Sequence, residues 1–151
     1  MVRNAVLEDV PAMVALGARM HGESIYAPFD YCVDKTTKLF ETLIACPSVG
    51  IALVYEVKGI VVGGFIGTVS EHYFGCDLQA SDLALFIEPE QRKGSAAVRL
   101  LKAYIEEAKL RGAAQIMLGN STGVEFERVS ALFESVGFVK RGYVFELANG
   151  V

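Results

Sequence analysis

The sequence predicts a mixed α/β (α+β) domain, in which a β-hairpin is followed by a strand–helix–strand crossover. Three observations carry this. Residues 50–57 and 60–69 are rich in β-branched and aromatic side chains and flank a Lys58-Gly59 turn. Residues 81–88, 96–111 and 113–118 read as a strand, an amphipathic helix and a short buried strand. The 151-residue length fits one domain spanning 1–151.

The elements follow in order. Residues 2–6 are short and partly apolar, an opening strand. Glu8, Asp9 and Pro11 are helix-start signals, and Met13, Leu16, Gly17 and Met20 continue at helical spacing, so a helix is expected over 8–21. Residues 22–33 form an aromatic loop. Asp34 is the expected N-cap of a second helix carrying Leu39, Phe40, Leu43 and Ile44, which Pro47 stops. After the hairpin, whose second strand contains Gly63, Gly64 and Gly67, a polar connection is expected over 71–80. Glycines inside a strand mark a bulge or a close backbone approach. In the helix over 96–111, Val98, Leu101, Ile105 and Ala108 share one face, and Lys102–Glu106 and Glu107–Arg111 pair on the other. Gly112 ends it. A last helix over 125–136 turns Val129, Leu132, Phe133 and Val136 inward, Gly137 breaks it, and 138–147 reads as a final strand. The order is β-α-α-β-β-β-α-β-α-β, which is not a uniformly doubly wound sheet.

Composition excludes several classes. At 52% hydrophobic and 21% charged residues the chain is not intrinsically disordered. No apolar run reaches membrane-spanning length, and Met-Val-Arg-Asn opens no signal peptide, so a cytoplasmic protein is expected. A net charge of −4 argues against nucleic acid as a partner. Cys32, Cys46 and Cys76 form no CxxC, and His21 and His72 stand far apart, so no metal site is expected.

The chemistry-bearing segment is Gln91-Arg92-Lys93-Gly94-Ser95-Ala96, between a strand and a long helix. Such a turn presents unpaired backbone N–H groups and the positive end of a helix dipole. Gly94 permits close approach, and Arg92, Lys93 and Ser95 add donors, so the turn suits a pyrophosphate.

This segment resembles the Q/R-x-x-G-x-G/A signature of the GCN5-related N-acetyltransferases. Arg3-Asn4-Ala5 with Asp9 is similar to the opening of that family, and Leu132-Phe133-Glu134-Ser135-Val136-Gly137-Phe138 resembles its late segment. The likeness covers nearly the whole chain and implies a mostly antiparallel sheet flanked by helices, with the fourth and fifth strands splayed. It implies acetyl-CoA as cosubstrate, held by backbone groups of Leu85, Phe86 and Ile87, by the turn from Gln91 to Ala96, and by Asn120. It implies transfer of an acetyl group to a primary amine of a small molecule or protein, and allows a homodimer. Where many members have a proton-donating tyrosine this chain has Phe133, and an asparagine common earlier is Phe126. Neither Tyr104 nor Tyr143 falls at a matching position, so no general acid is carried over.

The amine must be neutral to attack, which calls for a base. Asp82 is the best-placed candidate, with Glu71 and His72 behind it. Glu23, Tyr26 and Phe29 are expected to shape the substrate side. Because Phe133 cannot donate a proton, the alternative is a non-catalytic acyl-CoA-binding module of the same fold. A dinucleotide enzyme is disfavoured, since no G-x-G-x-x-G opens a helix.

Overall fold

The computed structural model describes residues 1–150. The elements are β1 (Val2–Asn4), α1 (Val10–Glu23), α2 (Val33–Ala45), β2 (Gly50–Val57), β3 (Ile60–Glu71), β4 (Leu78–Ile87), α3 (Ala96–Leu110), β5 (Gln115–Met117) and α4 (Phe126–Ser135). Short 3-10 turns precede α1 and α3. The sheet order is β1-β2-β3-β4-β5, antiparallel throughout except for the parallel β4–β5 pair. The mixed, mostly antiparallel sheet is as expected. No helix among the described residues is long and apolar enough to cross a membrane.

Both faces of the sheet are covered, and the two-residue period of the strands divides the core. Ala52, Val54, Ile66 and Phe86 point to one face, where Met13, Val14, Phe40 and Leu43 of α1 and α2 pack. Ile51, Leu53, Phe65 and Ile87 point to the other, against Leu100, Leu101, Tyr104 and Ala108 of α3. The hairpin turn is as read: Lys58 and Gly59 have φ of 50° and 80°, the left-handed pair that matches strand twist.

Several boundaries differ from expectation. β3 runs on to Glu71 and β4 begins at Leu78, so the polar connection shortens to a tip whose His72 N–H donates to the Asp77 carbonyl at 3.0 Å. Asp34 lies in the first turn of α2 rather than capping it, because Cys32 holds the extended N-cap position. The buried face of α3 is rotated, so that Tyr104 rather than Ile105 is fully enclosed. Tyr104 reaches over β5 and its hydroxyl donates to the Met117 carbonyl at 2.9 Å, which satisfies its polar end. The expected Glu107–Arg111 pair forms, whereas Glu106 is bonded by Lys109 rather than Lys102.

The last expected strand does not form. Residues 138–147 follow α4 with no ladder partner, since a strand exists only where another edge accepts its hydrogen bonds.

Opposite the site, Arg3 reaches Asp9 at 2.7 Å and Glu56 at 2.9 Å, tying β1 to the start of α1 and to β2. Asp9 also accepts the Val6 N–H at 2.8 Å. The guanidinium hydrogen bonds hold the buried Asp9 carboxyl below its ordinary range, against the opposing effect of burial.

Candidate active site

The glycines of β3 prepare the site from behind. A Cβ on Gly64 would lie 2.4 Å from the Phe86 ring, and one on Gly67 would lie 2.8 Å from the Ser81 carbonyl oxygen. Without side chains there, β4 packs closely on β3 and breaks register. Ile66 pairs with Ala84 and Gly67 with Asp82, so Leu83 is the extra residue of a bulge. A bulge bends its strand, and this one lies where β4 leaves β5.

β4 and β5 pair only from Gln79–Gln115 to Ser81–Met117. Beyond that point the strands part. A cleft of about 490 Å³ opens between residues 82–87 and 118–122, floored by Leu132 and Phe133 of α4. This volume is within the range of ligand sites. The expected splay of the fourth and fifth strands is therefore present.

Asp82 stands at the fork. Its Oδ1 accepts the Gly119 N–H at 2.8 Å, joining the walls just past the last ladder pair. Burial pushes its carboxyl above the ordinary carboxylate range, partly offset by that N–H.

Asn120 is held at the opposite wall. Its Nδ2 donates to the Phe126 carbonyl and to Ser130 Oγ, both at 2.9 Å, which fixes the amide orientation. Its Oδ1 is buried and lacks a partner among the described residues.

At the far end, the turn before α3 lies as the sequence suggests. Ser95 is the N-cap of α3 and makes no side-chain cap, leaving the first-turn N–H groups without that partner. A Cβ built on Gly94 would meet only the Gln91 carbonyl, at 3.5 Å. The protein's own packing thus does not require glycine there; the open space it leaves is cleft.

Of the residues singled out in the sequence, Asp82, Leu85, Phe86, Ile87, Arg92, Gly94, Asn120, Tyr26 and Phe133 line the cleft. Gln91, Lys93, Ser95 and Ala96 belong to the same turn but are not among its lining. Glu71 and His72 are at the β3–β4 tip; Glu71 pairs with Leu78, four positions along β4 from Asp82, or roughly 13 Å. His72 stacks on Phe74 there, with ring centroids 5.0 Å apart.

Sequence reading did not single out Arg128. It donates to the Arg92 carbonyl at 2.6 Å and pairs with Glu125 at 2.9 Å, so a second guanidinium meets the turn from α4. Its place one helical turn before Leu132, on the cleft face of the same helix, was the available signal.

The loop after α1 is stitched across the cleft. Ile25 N–H donates to the Thr122 carbonyl at 2.8 Å, Tyr26 and Ser121 hydroxyls meet at 2.8 Å, and Glu23 pairs with Arg92 at 2.8 Å. Phe29 is half-exposed beside this strap.

No family model matches the sequence, and no curated protein matches it. Solved structures do. A predicted acetyltransferase from Clostridium acetobutylicum, solved with acetyl-CoA, superposes with a TM-score of 0.79 at 18% identity, covering 98% of this chain and 95% of that one. An aminoglycoside acetyltransferase from an uncultured soil sample gives 0.73 at 21% identity, covering 99% and 98%. Glucosamine-6-phosphate N-acetyltransferase from Arabidopsis thaliana gives 0.75 at 11% identity, covering 98% and 97%. The fold is the one these acetyltransferase structures have. At such identities the likeness carries the fold; activity has to be argued from the site.

Proposed function

We propose that this chain is an acetyl-CoA-dependent N-acetyltransferase acting on a primary amine. The observation that carries the reading is the forked cleft, which ends in an open-faced Gly94 turn and has an unpaired Asn120 Oδ1 on its wall. These features fit a long ligand with an anionic diphosphate at one end and amide N–H groups in its arm. The turn from Gln91 to Ala96, with Arg92 and Arg128, would hold the diphosphate. Backbone groups of Leu85, Phe86 and Ile87 would hold the arm from one side and Asn120 from the other.

Acetyl-CoA supplies an acyl group already activated as a thioester. The protein's part is to place the amine and take its proton. Asp82 is suited to the latter: one oxygen is anchored by Gly119, and its raised pKa brings it closer to the working pH of a base. Glu71 and His72 would act only through water relays of some length. Phe133 has no proton to give, so the thiolate leaves unassisted by that side chain; thiols have pKa near 8.5, which makes this tolerable. Positioning then supplies much of the rate.

The structural neighbours named for amino-sugar and aminoglycoside acetylation favour a small amine acceptor over a protein one. Phe133 is the observation that favours the second reading, an acyl-CoA-binding module without turnover. Calorimetric titration with acetyl-CoA, followed by a thiol-release assay across amino sugars, aminoglycosides and polyamines, separates the readings. Saturable binding with amine-dependent thiol release supports the enzyme. Binding without release on any amine supports the module, and absence of binding removes both.

A further inference from the structure

A carboxylate already sits where the proposed donor's diphosphate would bind. Glu23 is the last residue of α1, and its Oε2 pairs with Arg92 Nη2 at 2.8 Å. Arg92 Nε donates to the Ile87 carbonyl at 3.0 Å, which fixes the guanidinium against the end of β4. An arginine grips a phosphate best through two parallel N–H groups. One such fork uses Nε with Nη2, and the other uses Nη1 with Nη2. With Nε on Ile87 and Nη2 on Glu23, neither fork is open while Glu23 stays in place. Arg128 differs, because its carboxylate partner Glu125 is three positions away at the start of the same helix. Releasing that pair would free no other element.

Glu23, by contrast, is continuous with the loop that reaches the far wall. Two and three residues on come the bonds from Ile25 to Thr122 and from Tyr26 to Ser121. One turn back on α1, Arg19 pairs with Glu88. The end of α1 is therefore latched to residues 88–92 by two ion pairs and to residues 121–122 by two hydrogen bonds. Of these contacts, only Glu23–Arg92 occupies a group that the donor would use.

We propose that Glu23 is a displaceable anion. The diphosphate of the acyl donor takes its place on Arg92 Nη2, and the freed carboxylate loosens the loop that follows α1. The inference rests on the acetyl-CoA reading of the cleft and adds to it a residue that sets donor affinity and couples the donor end to the loop across the cleft. A diphosphate carries more negative charge than one carboxylate and fills the Nη1–Nη2 fork, so the exchange favours it. Because both partners of the pair are partly exposed, its hold on Arg92 is modest, about 1.4- to 5-fold in an equilibrium constant.

Isothermal titration of the full-length chain with acetyl-CoA compares the wild type, Glu23→Gln and Glu90→Gln. Glu23→Gln should lower Kd by about two- to five-fold, since the competing charge is gone. Glu90 is an exposed acid of the same turn with no ion-pair partner among the described residues. Glu90→Gln removes the same charge without freeing Arg92 and should give a clearly smaller change. An unchanged or higher Kd for Glu23→Gln overturns the proposal, and so does an equal gain from Glu90→Gln. Wild type that binds acetyl-CoA without any gain in Glu23→Gln removes this inference alone; wild type that does not bind removes the donor reading with it. Should Glu23→Gln not fold, hydrogen exchange on the wild type decides. The Ala27 and Phe29 N–H groups donate to the Ser24 and Tyr26 carbonyls within the loop. Both should exchange several-fold faster with acetyl-CoA bound, against the protection that a ligand ordinarily confers. Unchanged or slower exchange at both overturns the displacement.

Discussion

Gly94 offers a clean perturbation, because the fold and the proposed ligand place opposite demands on it. Its φ lies outside the left-handed region, and a Cβ there would meet only the Gln91 carbonyl oxygen at 3.5 Å, an ordinary van der Waals distance. Replacing it with alanine is therefore expected to leave stability unchanged or to raise it by about 0.4–1 kcal/mol, through reduced freedom of the unfolded chain. For a protein of this size that is a rise in Tm of roughly 1–4 °C. The same methyl group intrudes where a diphosphate must approach the backbone. Loss of a single hydrogen bond to a charged group removes about 1.5–3 kcal/mol, or roughly 10- to 150-fold in Kd. Gly94→Val, with two more methyl groups, should exceed that. Differential scanning calorimetry and isothermal titration with acetyl-CoA read the two effects separately. The reasoning fails if Gly94→Val is folded and binds acetyl-CoA as the wild type does. It also fails if affinity and Tm fall together, since glycine would then be a requirement of the fold.

The remaining predictions concern protons and packing. Asp82→Asn keeps an oxygen for the Gly119 N–H but cannot take a proton, so it should lower the rate on the order of 10²-fold near neutral pH with little change in acetyl-CoA affinity. That deficit should shrink toward pH 10, where solvent delivers the amine neutral; equal steady-state rates across the range would remove Asp82 as the base. Asp82→Ala loses the anchor too and should also weaken acetyl-CoA binding. Phe133→Leu should keep acetyl transfer within a few-fold at a stability cost of about 1 kcal/mol; a thousandfold loss in a folded variant would show that the ring positions the donor. Asp9→Asn should cost on the order of 2 kcal/mol at neutral pH, as a buried charged hydrogen-bond partner is lost. Because the folded Asp9 pKa is depressed, its stabilisation is fully present above the unfolded carboxyl value. It disappears as pH falls through the lower folded value, so denaturant midpoints of variant and wild type should converge in acid.

What the sequence revealed, and what it concealed, follows the range of the interactions involved. The Lys58-Gly59 turn, the arrest of α3 at Gly112 and the Gly94 turn were legible because each is decided by residues within a few positions. The bulge was half legible. Gly63, Gly64 and Gly67 announced a close approach, but that Gly67 faces Asp82 while Leu83 bulges out depends on strand register. The burial of Tyr104 in place of Ile105 depends on where β5 lies beneath α3, since its hydroxyl needs the Met117 carbonyl. Residues 138–147 have a strand's alternation yet form no strand. Periodicity reports which face is apolar, and pairing depends on an edge that the pattern does not contain.

The site shows the same division, and the concealed part explains why the cleft is preformed. Asp82 was noticed as an acid near the expected chemistry; its bond to the Gly119 N–H was not, as it joins residues 37 positions apart. Two strands that stop pairing would expose backbone donors and acceptors and tend either to zip shut or to fray. Here the walls are tied at both limits of the cleft. Asp82 ties them at the fork, and the end of α1 bridges them through Glu23–Arg92 on one side and Ile25–Thr122 with Tyr26–Ser121 on the other. Between the ties, the Asn120 amide is held in place by two bonds from its own nitrogen. A carboxylate that serves as anchor with one oxygen keeps the other in a fixed place, and a fixed base makes amine positioning effective. Thus the feature that holds β4 and β5 at a set separation and the feature assigned to proton transfer are the same side chain. This is why the asparagine and alanine substitutions at Asp82 must be compared: the first removes only the base, the second also releases the wall.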